Sequence, residues 1–296
     1  MATQSGPGRL GCIGAALAAQ GASLRPALPW RRTRDPWAVL VSEVMAQQTQ
    51  LSRVEPAFRA FLERFPDPVA CARAPLGDVL RQWAGLGYNR RARNLHRAAV
   101  VVVEVHGGTV PGTLAELLAL PGVGPYTARA VLAFAFGRDV GVVDTNAGRV
   151  LARAVAGRVL GRREAQDLAD ALVPDGEGWA CNQALLDVGA LVCVSGEPRC
   201  ASCPLEPWCA WTGAGRPAPD PALGTAGSST PQGTFAGSDR QGRGRLVAAL
   251  VDGPLSAARV AAVAGWPDDD GRATRVAEQL VAEGLAVRRG DVLELP

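Results

Sequence analysis

Apolar positions recur at intervals of three and four residues along most of the chain up to about residue 210, which predicts a series of short amphipathic helices. Asp35 and Pro36 are typical of a helix start, and the apolar residues that follow place Glu43 inside an apolar helix. From residue 54 to residue 107, proline and glycine residues divide the pattern into short helices. The pattern therefore predicts an all-α fold for this part of the chain.

A glycine-bearing turn leads into another apolar helix at residues 120–137, LPGVGPYTARAVLAFAFG. Gly122 and Gly124 allow backbone N–H groups to approach an anion closely, and the following helix places its positive end there. This arrangement suits a DNA phosphate. An ordinary helical hairpin, in which the glycines allow close packing, explains the turn equally well. The glycine spacing and the lack of a preceding strand argue against a nucleotide-binding loop.

A second acidic residue stands before a predicted helix in GVVDTNAGRV, residues 141–150. Asp144 or Asn146 can cap the helix that begins near Ala147, because short polar side chains accept hydrogen bonds from the first free N–H groups. A further helix is predicted around residues 163–173, and an early short helix is predicted at residues 15–20.

The composition changes after residue 212. Residues 213–243 are rich in Gly, Ser, Pro and Thr, which predicts a flexible linker between a domain at 1–212 and a module at 244–296. The module has helical patterns followed by LAVRRGDVLELP, which predicts a two-stranded ribbon around Gly290. Helices followed by such a ribbon are typical of a small winged-helix-like α+β module.

The composition is that of a globular protein, with 48% hydrophobic residues and a mean hydropathy of +0.07. No apolar run is long enough to cross a bilayer and no secretory leader is apparent, so we expect a soluble, monomeric protein of the cytoplasm. The net charge of +3 does not by itself indicate nucleic-acid binding. However, Arg90, Arg91, Arg93 and Arg97 cluster after GLGYN, either as a DNA-binding surface or as a solvated helix face.

All 31 basic residues are arginine, since the sequence contains no lysine. A mechanism that needs a lysine Schiff base is therefore excluded.

Four of the seven cysteines lie within seventeen residues, in the loop 193–209, which makes them candidate ligands of one metal site. They are Cys193, Cys200, Cys203 and Cys209. Thiolates this close together in a reducing compartment indicate metal, and the spacing leaves both zinc and an iron–sulfur cluster open. Four protein ligands leave no open coordination position, so we expect a structural role. Arg199 lies between the ligands, where it can contact phosphate.

Several motifs together resemble those of MutY-type adenine DNA glycosylases of the helix-hairpin-helix superfamily. The resemblance extends over about residues 28–209, and its motifs are LPWR (28–31), SEVMAQQTQ (42–50), GLGYNRRARNLH (85–96), LPGVGPYTA (120–128), VDTN (143–146), NQALLDVGALVC (182–193) and the cysteine spacing. It implies two helical subdomains with a base pocket between them, a 4Fe–4S cluster on the four cysteines, and double-stranded DNA with an adenine mispair as the partner. It also implies a location at the nucleoid of a bacterium.

The chemistry of adenine removal requires two groups of opposite character. An acid must protonate the purine, and an anion must stabilise the cationic sugar. Glu43, among apolar neighbours, is expected to hold a proton near neutrality, and Asp144, at a helix N-terminus, is expected to stay ionised. The resemblance implies the same roles, with Glu43 protonating N7 of adenine and Asp144 stabilising or transiently capturing the oxocarbenium ion. Taken alone, the two residues could equally be a helix-surface glutamate and a plain N-cap.

The resemblance also implies roles for residues around these two carboxylates. Tyr126 and Asn146 correspond to residues that position catalytic groups through hydrogen bonds.

Residues of the adenine pocket and of the duplex wedge follow from the same resemblance. Trp30, Arg31 and Leu51 correspond to residues that line the adenine pocket. Gln48 and Tyr88 correspond to residues that insert into the duplex beside the partner base, where a flat ring and an amide can fill the gap left by a flipped nucleotide. A simple core aromatic is the alternative for Tyr88.

The chain departs from its relatives in two ways. Gly148 and Tyr126 stand where some relatives carry a lysine near the active site, which with the absence of lysine predicts a monofunctional glycosylase. The family typically has a C-terminal Nudix-like domain that recognises 8-oxoguanine, and the fifty or so residues here are too few for that fold. The strictness of 8-oxoguanine recognition is therefore open.

Two other functions remain as alternatives at this stage. Thymine mismatch glycosylases also pair a hairpin tyrosine with a downstream aspartate, but they lack the glutamate-bearing QQT motif. A non-catalytic DNA-binding protein could use the hairpin and the terminal module, although the presence of both Glu43 and Asp144 argues against it.

Overall fold

The computed structural model describes residues 7–21, 23–24, 28–225 and 233–296, and the chain within these ranges forms fifteen α-helices and one small sheet. It separates into two compact units. The first consists of Met1–Val39, Gly112–Leu114 and Gly124–Thr230, and the second of Leu40–Pro111, Ala115–Val123 and Pro231–Pro296. Among the described residues, no helix has the length and apolar character that crossing a membrane requires.

Two helices cross between the units along the chain. They are α2 (Pro36–Ala46) and α7 (Leu114–Ala119). The remaining helices of the first unit are α1 (Pro7–Gln20), α8 (Pro125–Phe134), α9 (Thr145–Val150), α10 (Arg162–Leu172), α11 (Gly178–Asp187) and α12 (Ala210–Gly213). Helix α1 begins at Pro7 instead of Ala15, because Ile13 and Leu17, four residues apart, both enter the core of this unit.

Helices α9 and α11 each continue into a wider π-helical turn, at Leu151–Ala156 and Val188–Val192. Side chains of this unit's core, such as Val150 and Val188, pack between these elements. π-Helical turns are uncommon and occur frequently at functional sites. Here they adjoin the two motifs, VDTN and NQALLDVGALVC, that the sequence indicates as functional.

The second unit contains most of the short helices predicted between residues 54 and 107. They are α3 (Leu51–Arg64), α4 (Pro68–Arg73), α5 (Leu76–Gln82) and α6 (Arg90–His106). Phe61, Phe65 and Trp83 form an edge-to-face aromatic cluster in their core, with ring centroids 5.0 and 6.2 Å from Phe61. Asp67 caps α4, and Gly107, in the left-handed region, ends α6.

The C-terminal residues belong to the second unit and form α13 (Asp239–Asp252), α14 (Val260–Ala264), α15 (Asp270–Ala282) and a three-stranded antiparallel sheet. Strands β1 (Leu255–Ser256), β2 (Val287–Arg289) and β3 (Val292–Glu294) lie in the order β1-β3-β2. The predicted ribbon is therefore present, with a third strand that pairs Leu255 with Leu293. The fold is mostly helical with this small sheet.

The predicted linker 213–243 is not uniform in the structure. Helix α13 begins at Asp239, five residues before the predicted module, because the Ser238 side chain accepts a hydrogen bond from the Gln241 N–H and caps it. At the other end, Thr225 is buried and its hydroxyl accepts a hydrogen bond from the Leu160 N–H. Residues 226–232 of this segment lie outside the described residues.

Candidate active site and cysteine loop

Glu43 lies in the third turn of α2, which begins with Asp35 as its cap. The Asp35 carboxylate accepts hydrogen bonds from the N–H groups of Trp37 and Ala38, at 3.1 and 3.4 Å. Glu43 is only 8% exposed, and Leu40 and Val44 beside it are buried as well. The residue is therefore a buried carboxyl group on an apolar helix, and the helix-surface alternative does not hold.

Asp144 is the N-cap of α9. Its Oδ1 accepts a hydrogen bond from the Ala147 N–H at 2.7 Å, and its Oδ2 accepts one from Nδ2 of Asn146 at 2.9 Å. These donors were expected to keep the carboxylate ionised. However, burial outweighs them and raises the pKa of Asp144 above its ordinary value. Ionising Asp144 therefore costs the folded protein free energy.

A chain of hydrogen bonds joins Asp144 to the cysteine loop. Asn146 donates to Asp144, and its Oδ1 accepts from Nη2 of Arg149 at 2.8 Å. Arg149 also donates from Nε to the carbonyl oxygen of Cys193 at 2.6 Å and from Nη2 to that of Gly189 at 2.6 Å. The side chain of Asn146, which binds the Asp144 carboxylate, and the backbone of Cys193, the first cysteine of the loop, are thus held by one guanidinium group.

The extended segment before Asp144 is fixed by a buried amide. Asn182 of α11 accepts a hydrogen bond from the Val142 N–H at 2.8 Å and donates to the Val140 carbonyl oxygen at 2.8 Å. The carboxylate of Asp170 accepts from the Gly141 N–H at 2.7 Å. Because this strand-like segment has no sheet partner, these side chains replace the ladder that would otherwise satisfy its backbone.

The predicted pocket residues lie on separate elements. Trp30 and Arg31 belong to a 3₁₀ turn at Pro29–Arg32, and Leu51 is the first residue of α3. The guanidinium of Arg31 forms a bidentate ion pair with Asp187, with both N–O distances at 2.7 Å and both side chains almost fully buried. Arg31 is therefore fixed in place with its charge compensated.

The two predicted wedge residues share an unusual backbone conformation. Gln48 and Tyr88 have φ angles of 55° and 49°, in the left-handed region that residues with a side chain rarely adopt. Both side chains are exposed, Tyr88 by 44%, so the core-aromatic alternative for Tyr88 does not hold.

One arginine of the basic cluster is buried. Arg91 is 9% exposed, and its guanidinium donates to oxygen atoms on both sides of it. The acceptors are the carbonyl oxygens of Val44, Met45, Gln47, Leu86 and Gly87 and the hydroxyl of Thr49, at 2.6 to 3.3 Å. The sequence predicts either a DNA-binding surface or a solvated helix face for this cluster. Arg91 belongs to neither, because it is buried.

The glycine turn has the form of a helical hairpin. Gly122 has a φ of 79°, and a Cβ atom there would lie 2.7 Å from Cβ of Asn94, which no other residue type would tolerate without movement. Gly124 is the N-cap of α8, and Tyr126 lies half-buried in the first turn of that helix. Gly122 therefore serves close packing, and the positive end of the α8 dipole beside Gly124 remains compatible with an anion.

The four cysteines line one cavity in the first unit. The cavity contains ≈ 380 Å³ of empty space, counted with the solvent at its mouth, and Val192, Leu205 and Trp211 form part of its wall. In the described part of the chain, no three His, Cys, Asp or Glu side chains are arranged to hold a single metal ion. Four thiols around one cavity are a donor set that fits a bound metal, either zinc or an iron–sulfur cluster.

Positive charge lies close to the thiols of this cavity. Nη1 of Arg153 approaches Sγ of Cys193 at 3.5 Å. Burial raises the pKa of Cys193, against the effect of Arg153, and it raises the pKa of Cys203 to about 11. A metal cation would offset this burial cost by binding the thiolate form. Arg199 is exposed beside the loop, and its Nη1 donates to the Leu191 carbonyl oxygen.

Sequence reasoning missed four residues that organise these sites. Arg149 stands three positions after Asn146, a helical spacing that could have indicated it. No such spacing in the sequence indicates Arg91, Asp187 or Arg153, because the burial of a charged residue depends on partners that are distant in sequence.

Comparisons with known proteins agree with this geometry. A family model described as HhH-GPD superfamily base excision DNA repair protein matches residues 41–173. The chain is 42% identical over 268 residues to an adenine DNA glycosylase of Mycolicibacterium smegmatis, covering 89% of each, and 43% identical to one of Mycobacterium tuberculosis, covering 89% of this chain and 86% of that one. The human adenine DNA glycosylase is 41% identical over 196 residues, 62% of this chain and 36% of the human one.

The fold is similar to those of solved helix-hairpin-helix proteins. A thermostable thymine-DNA glycosylase matches with a TM-score of 0.65 at 28% identity, covering 70% of this chain and 98% of that one. A trapped endonuclease III–DNA covalent intermediate matches with a TM-score of 0.58 at 26% identity, covering 68% and 96%. The identity to the mycobacterial adenine DNA glycosylases is higher than to these structures and extends over nearly the whole chain, so it determines the family to which the chain is assigned. The chain therefore belongs to the adenine DNA glycosylase family of base-excision repair enzymes, within the HhH-GPD superfamily.

Proposed function

We propose that this enzyme removes adenine from double-stranded DNA in which the adenine is mispaired with 8-oxoguanine or guanine. The observation that carries the proposal is the buried carboxyl group of Glu43, only 8% exposed on α2 within the motif SEVMAQQTQ. A carboxylic acid in such surroundings can hold a proton and deliver it to a purine. Family membership supplies adenine as the base.

Glu43 protonates N7 of adenine, which turns a poor leaving group into a neutral one as the N-glycosidic bond breaks. The cationic sugar that remains is stabilised, or captured transiently, by the Asp144 carboxylate before water attacks. Asn146 supports this step by donating a hydrogen bond to Oδ2 of Asp144, which fixes the direction of the carboxylate. Tyr126 positions the reacting groups from the first turn of α8.

The reaction ends with the free base and an abasic site. A lyase step through a Schiff base needs an amine side chain, and the sequence contains no lysine. The proposed enzyme is therefore monofunctional and leaves the DNA strand intact.

The adenine pocket is formed by Trp30, Arg31 and Leu51. Because Asp187 compensates the charge of Arg31, this arginine contributes a fixed shape instead of a net positive charge. Gln48 and Tyr88 insert beside the partner base, for which their exposure is suited.

DNA phosphates bind at two places in this proposal. The N–H groups at the start of α8, next to Gly122 and Gly124, receive one phosphate, and Arg199 of the cysteine loop contacts another. We further propose that the protein acts as a monomer, in the cytoplasm at the nucleoid.

Cys193, Cys200, Cys203 and Cys209 hold a 4Fe–4S cluster in this proposal, with a structural role, since four protein ligands leave no position open for chemistry. Iron and acid-labile sulfide analysis of the purified protein should give about four of each per chain. The variant Cys203→Ser should lose them, whereas Cys71→Ser, which changes a buried cysteine outside the loop, should retain them. Stoichiometric zinc without iron would contradict the proposal.

The function is tested by single-turnover excision on duplexes that differ in one base pair. Adenine should be released opposite 8-oxoguanine and guanine but not opposite thymine, and no strand break should form without alkali. The variant Glu43→Gln, which keeps the shape but cannot donate the same proton, should lower the rate by about 10²–10⁴-fold. Glu55→Gln changes an exposed glutamate of α3 and serves as the control.

Two results would contradict the proposal. Retained activity of Glu43→Gln would remove the assigned acid. Release of thymine opposite guanine, with adenine untouched, would favour the activity named for the structurally similar thymine-DNA glycosylase.

A further inference from the structure

Gln48 and Tyr88 each lie in a short loop of the second unit that is held in a costly conformation. A residue with a side chain in the left-handed region costs of order 1 kcal/mol or more, and it persists only where the surroundings enforce it. The loop 47–50 follows α2, and the loop 85–89 precedes α6. Something must therefore hold both loops in place while their side chains point out to solvent.

The guanidinium of Arg91 contacts both loops at once. Nη1 donates to the carbonyl oxygens of Val44, Met45 and Gln47, at 2.9, 2.9 and 2.6 Å. The first two belong to the last turn of α2, whose carbonyl groups have no acceptor role within the helix. Nη2 donates to the Thr49 hydroxyl at 2.9 Å and to the Gly87 carbonyl oxygen at 3.1 Å. Nη1 of the guanidinium thus binds the end of α2 and the Gln48 loop, and Nη2 connects the Gln48 loop to the Tyr88 loop.

The two loops also contact each other directly near Arg91. The Thr49 hydroxyl donates to the Leu86 carbonyl oxygen at 3.4 Å, and Arg53 donates to that of Gly85. The guanidinium carbon of Arg91 lies 5.5 Å from the centre of the Tyr88 ring and 5.4 Å from that of Trp83. Arg91 therefore contacts the backbone on both sides and the ring of Tyr88 itself.

We infer that Arg91 is a positioning residue, which sets the spacing of Gln48 and Tyr88 so that both enter the duplex together beside the partner base. The inference rests on the proposed function, because it takes the wedge role of these two side chains from it. Arg91 is too buried to bind a phosphate. A lysine could not replace it, since a single ammonium group lacks the planar fork that binds two loops.

The inference is tested with Arg91→Lys on two duplexes. In the first, adenine faces 8-oxoguanine, and the wedge must separate the partner base from its neighbour. In the second, adenine faces a tetrahydrofuran abasic analogue, so there is no partner base to separate. Arg91→Lys should excise adenine about tenfold more slowly from the first duplex, within the range expected for one base-stacking contact, and at the wild-type rate from the second.

A double-variant comparison separates positioning from general damage. Tyr88→Ala should slow excision from the first duplex, and adding Arg91→Lys should then slow it by a smaller factor than in the wild type, because part of the effect of the arginine acts through that ring and its loop. Arg59→Lys, an exposed arginine of α3 paired with Glu55, is the matched control. If Arg91→Lys does not fold, Thr49→Val, which removes one acceptor of Arg91 and the contact to Leu86, takes its place with the same expectations.

The possible failures are distinguishable. Equal slowing on both duplexes, or additive effects of the two substitutions, overturns the inference and leaves Arg91 a structural residue. An unchanged rate in Tyr88→Ala overturns the wedge assignment in the proposed function. Absence of adenine release by the wild-type protein from the 8-oxoguanine duplex overturns the proposed function itself.

Discussion

At the scale of single residues, Asp144 combines two opposing demands. As an N-cap it accepts hydrogen bonds from Ala147 and Asn146, yet burial raises its pKa, so its charge is maintained at a cost in stability. A carboxylate that must stabilise a cation gains from being poorly solvated before the cation forms. In the proposed mechanism, the poor solvation that destabilises the folded protein is what strengthens the interaction of Asp144 with the cationic sugar.

The substitution Asp144→Asn should separate stability from activity. Asparagine is an equally good N-cap and carries no charge, so we expect the free energy of unfolding to rise at pH 7, while adenine excision is lost. The folded pKa is raised, so the wild type is most stable, relative to the variant, below the unfolded pKa near 4, and it loses that stability as pH rises through the folded pKa. Urea unfolding at several pH values measures the difference.

The control for this experiment is Asp175→Asn, an exposed aspartate of the same unit. Its unfolding free energy at pH 7 should match that of the wild type. A variant Asp144→Asn that is less stable than the wild type at pH 7 would show that the hydrogen bonds of the carboxylate outweigh its burial.

The sequence predicts residues whose chemistry depends on neighbours in the chain better than residues buried by distant partners. Glu43 and the cap at Asp144 followed from local patterns, helix spacing and capping chemistry. The burial of Arg91 could not be recognised in the same way. In the sequence, an arginine within a basic run looks the same whether its side chain faces solvent or binds six oxygen atoms. The Arg31–Asp187 pair joins residues 156 positions apart, and no local pattern records it.

At the scale of elements, the start of α9 is packed directly against the π-helical turn Val188–Val192. A Cβ atom on Gly189 would lie 2.6 Å from the carbonyl oxygen of Asn146 and 2.8 Å from its Cβ. The glycine therefore allows the backbone that carries Asp144 and Asn146 to approach this turn. It also brings the Gly189 carbonyl oxygen within reach of Arg149.

The substitution Gly189→Ala should push α9 away from the turn. Because the contact at 2.6 Å is with backbone, relief requires movement of Asn146 itself, and we expect a loss of about 1–3 kcal/mol in unfolding free energy. Adenine excision should fall more than stability alone explains, since Asn146 holds the Asp144 carboxylate. Differential scanning calorimetry and single-turnover excision, both below the melting temperature, measure the two effects.

Gly196→Ala is the matched control, because this exposed glycine of the cysteine loop has no atom within 4 Å of an added Cβ. It should change neither quantity. Wild-type excision by Gly189→Ala would mean that Asp144 tolerates displacement of its helix.

Elements with strong local signals were predicted and weak ones were not. Helix α2 has both a start signal and apolar spacing, and it was predicted at its observed beginning. Strand β1 has two residues, too few for any alternation to be visible. The first turns of α13 read DRQGRGR, with no apolar residue, so its start could not be separated from the segment before it.

At the scale of the whole molecule, the segment predicted as one linker divides between the two units. Before residue 226, Asp220 forms an ion pair with Arg153, whose side chain is 1% exposed. The guanidinium carbons of Arg153 and Arg216 lie 4.9 and 5.0 Å from the centre of the Trp211 ring. These contacts cover the wall of the cysteine-lined cavity, which Trp211 helps to form. The residues just after the cysteine loop therefore belong to the first unit.

The residues from 233 onward are attached to the second unit through a different set of contacts. Glu283 forms ion pairs with Arg90 and Arg243, and its carbonyl oxygen accepts a hydrogen bond from Arg93. The ion pairs with Arg90, which has the largest effect, and with Arg243 lower the pKa of Glu283 to about 2. The Gly77 N–H donates to the Pro296 carbonyl oxygen at 3.0 Å. Two arginines of the basic cluster are thus already engaged within the protein.

Two C-terminal truncations, both of which remove the small sheet, should therefore differ in the stability of the first unit. A variant that ends at residue 232 keeps Asp220, and the first unit should retain its stability and the iron of the proposed cluster. A variant that ends at residue 212 leaves the buried guanidinium of Arg153 without its carboxylate, which should destabilise the first unit by about 3 kcal/mol. Denaturant unfolding followed by the absorbance of the proposed cluster measures the difference.

The full-length variant Asp220→Asn isolates the ion pair from the loss of the chain. It keeps residues 213–296 and removes only the charge opposite Arg153, so it should reproduce most of the destabilisation of the shorter truncation. Asp252→Asn, at the end of α13, removes a carboxylate from the second unit and should leave the first unit unchanged. If both truncations unfolded at the same denaturant concentration, the pair with Arg153 would contribute nothing, and residues 213–225 would be a linker after all.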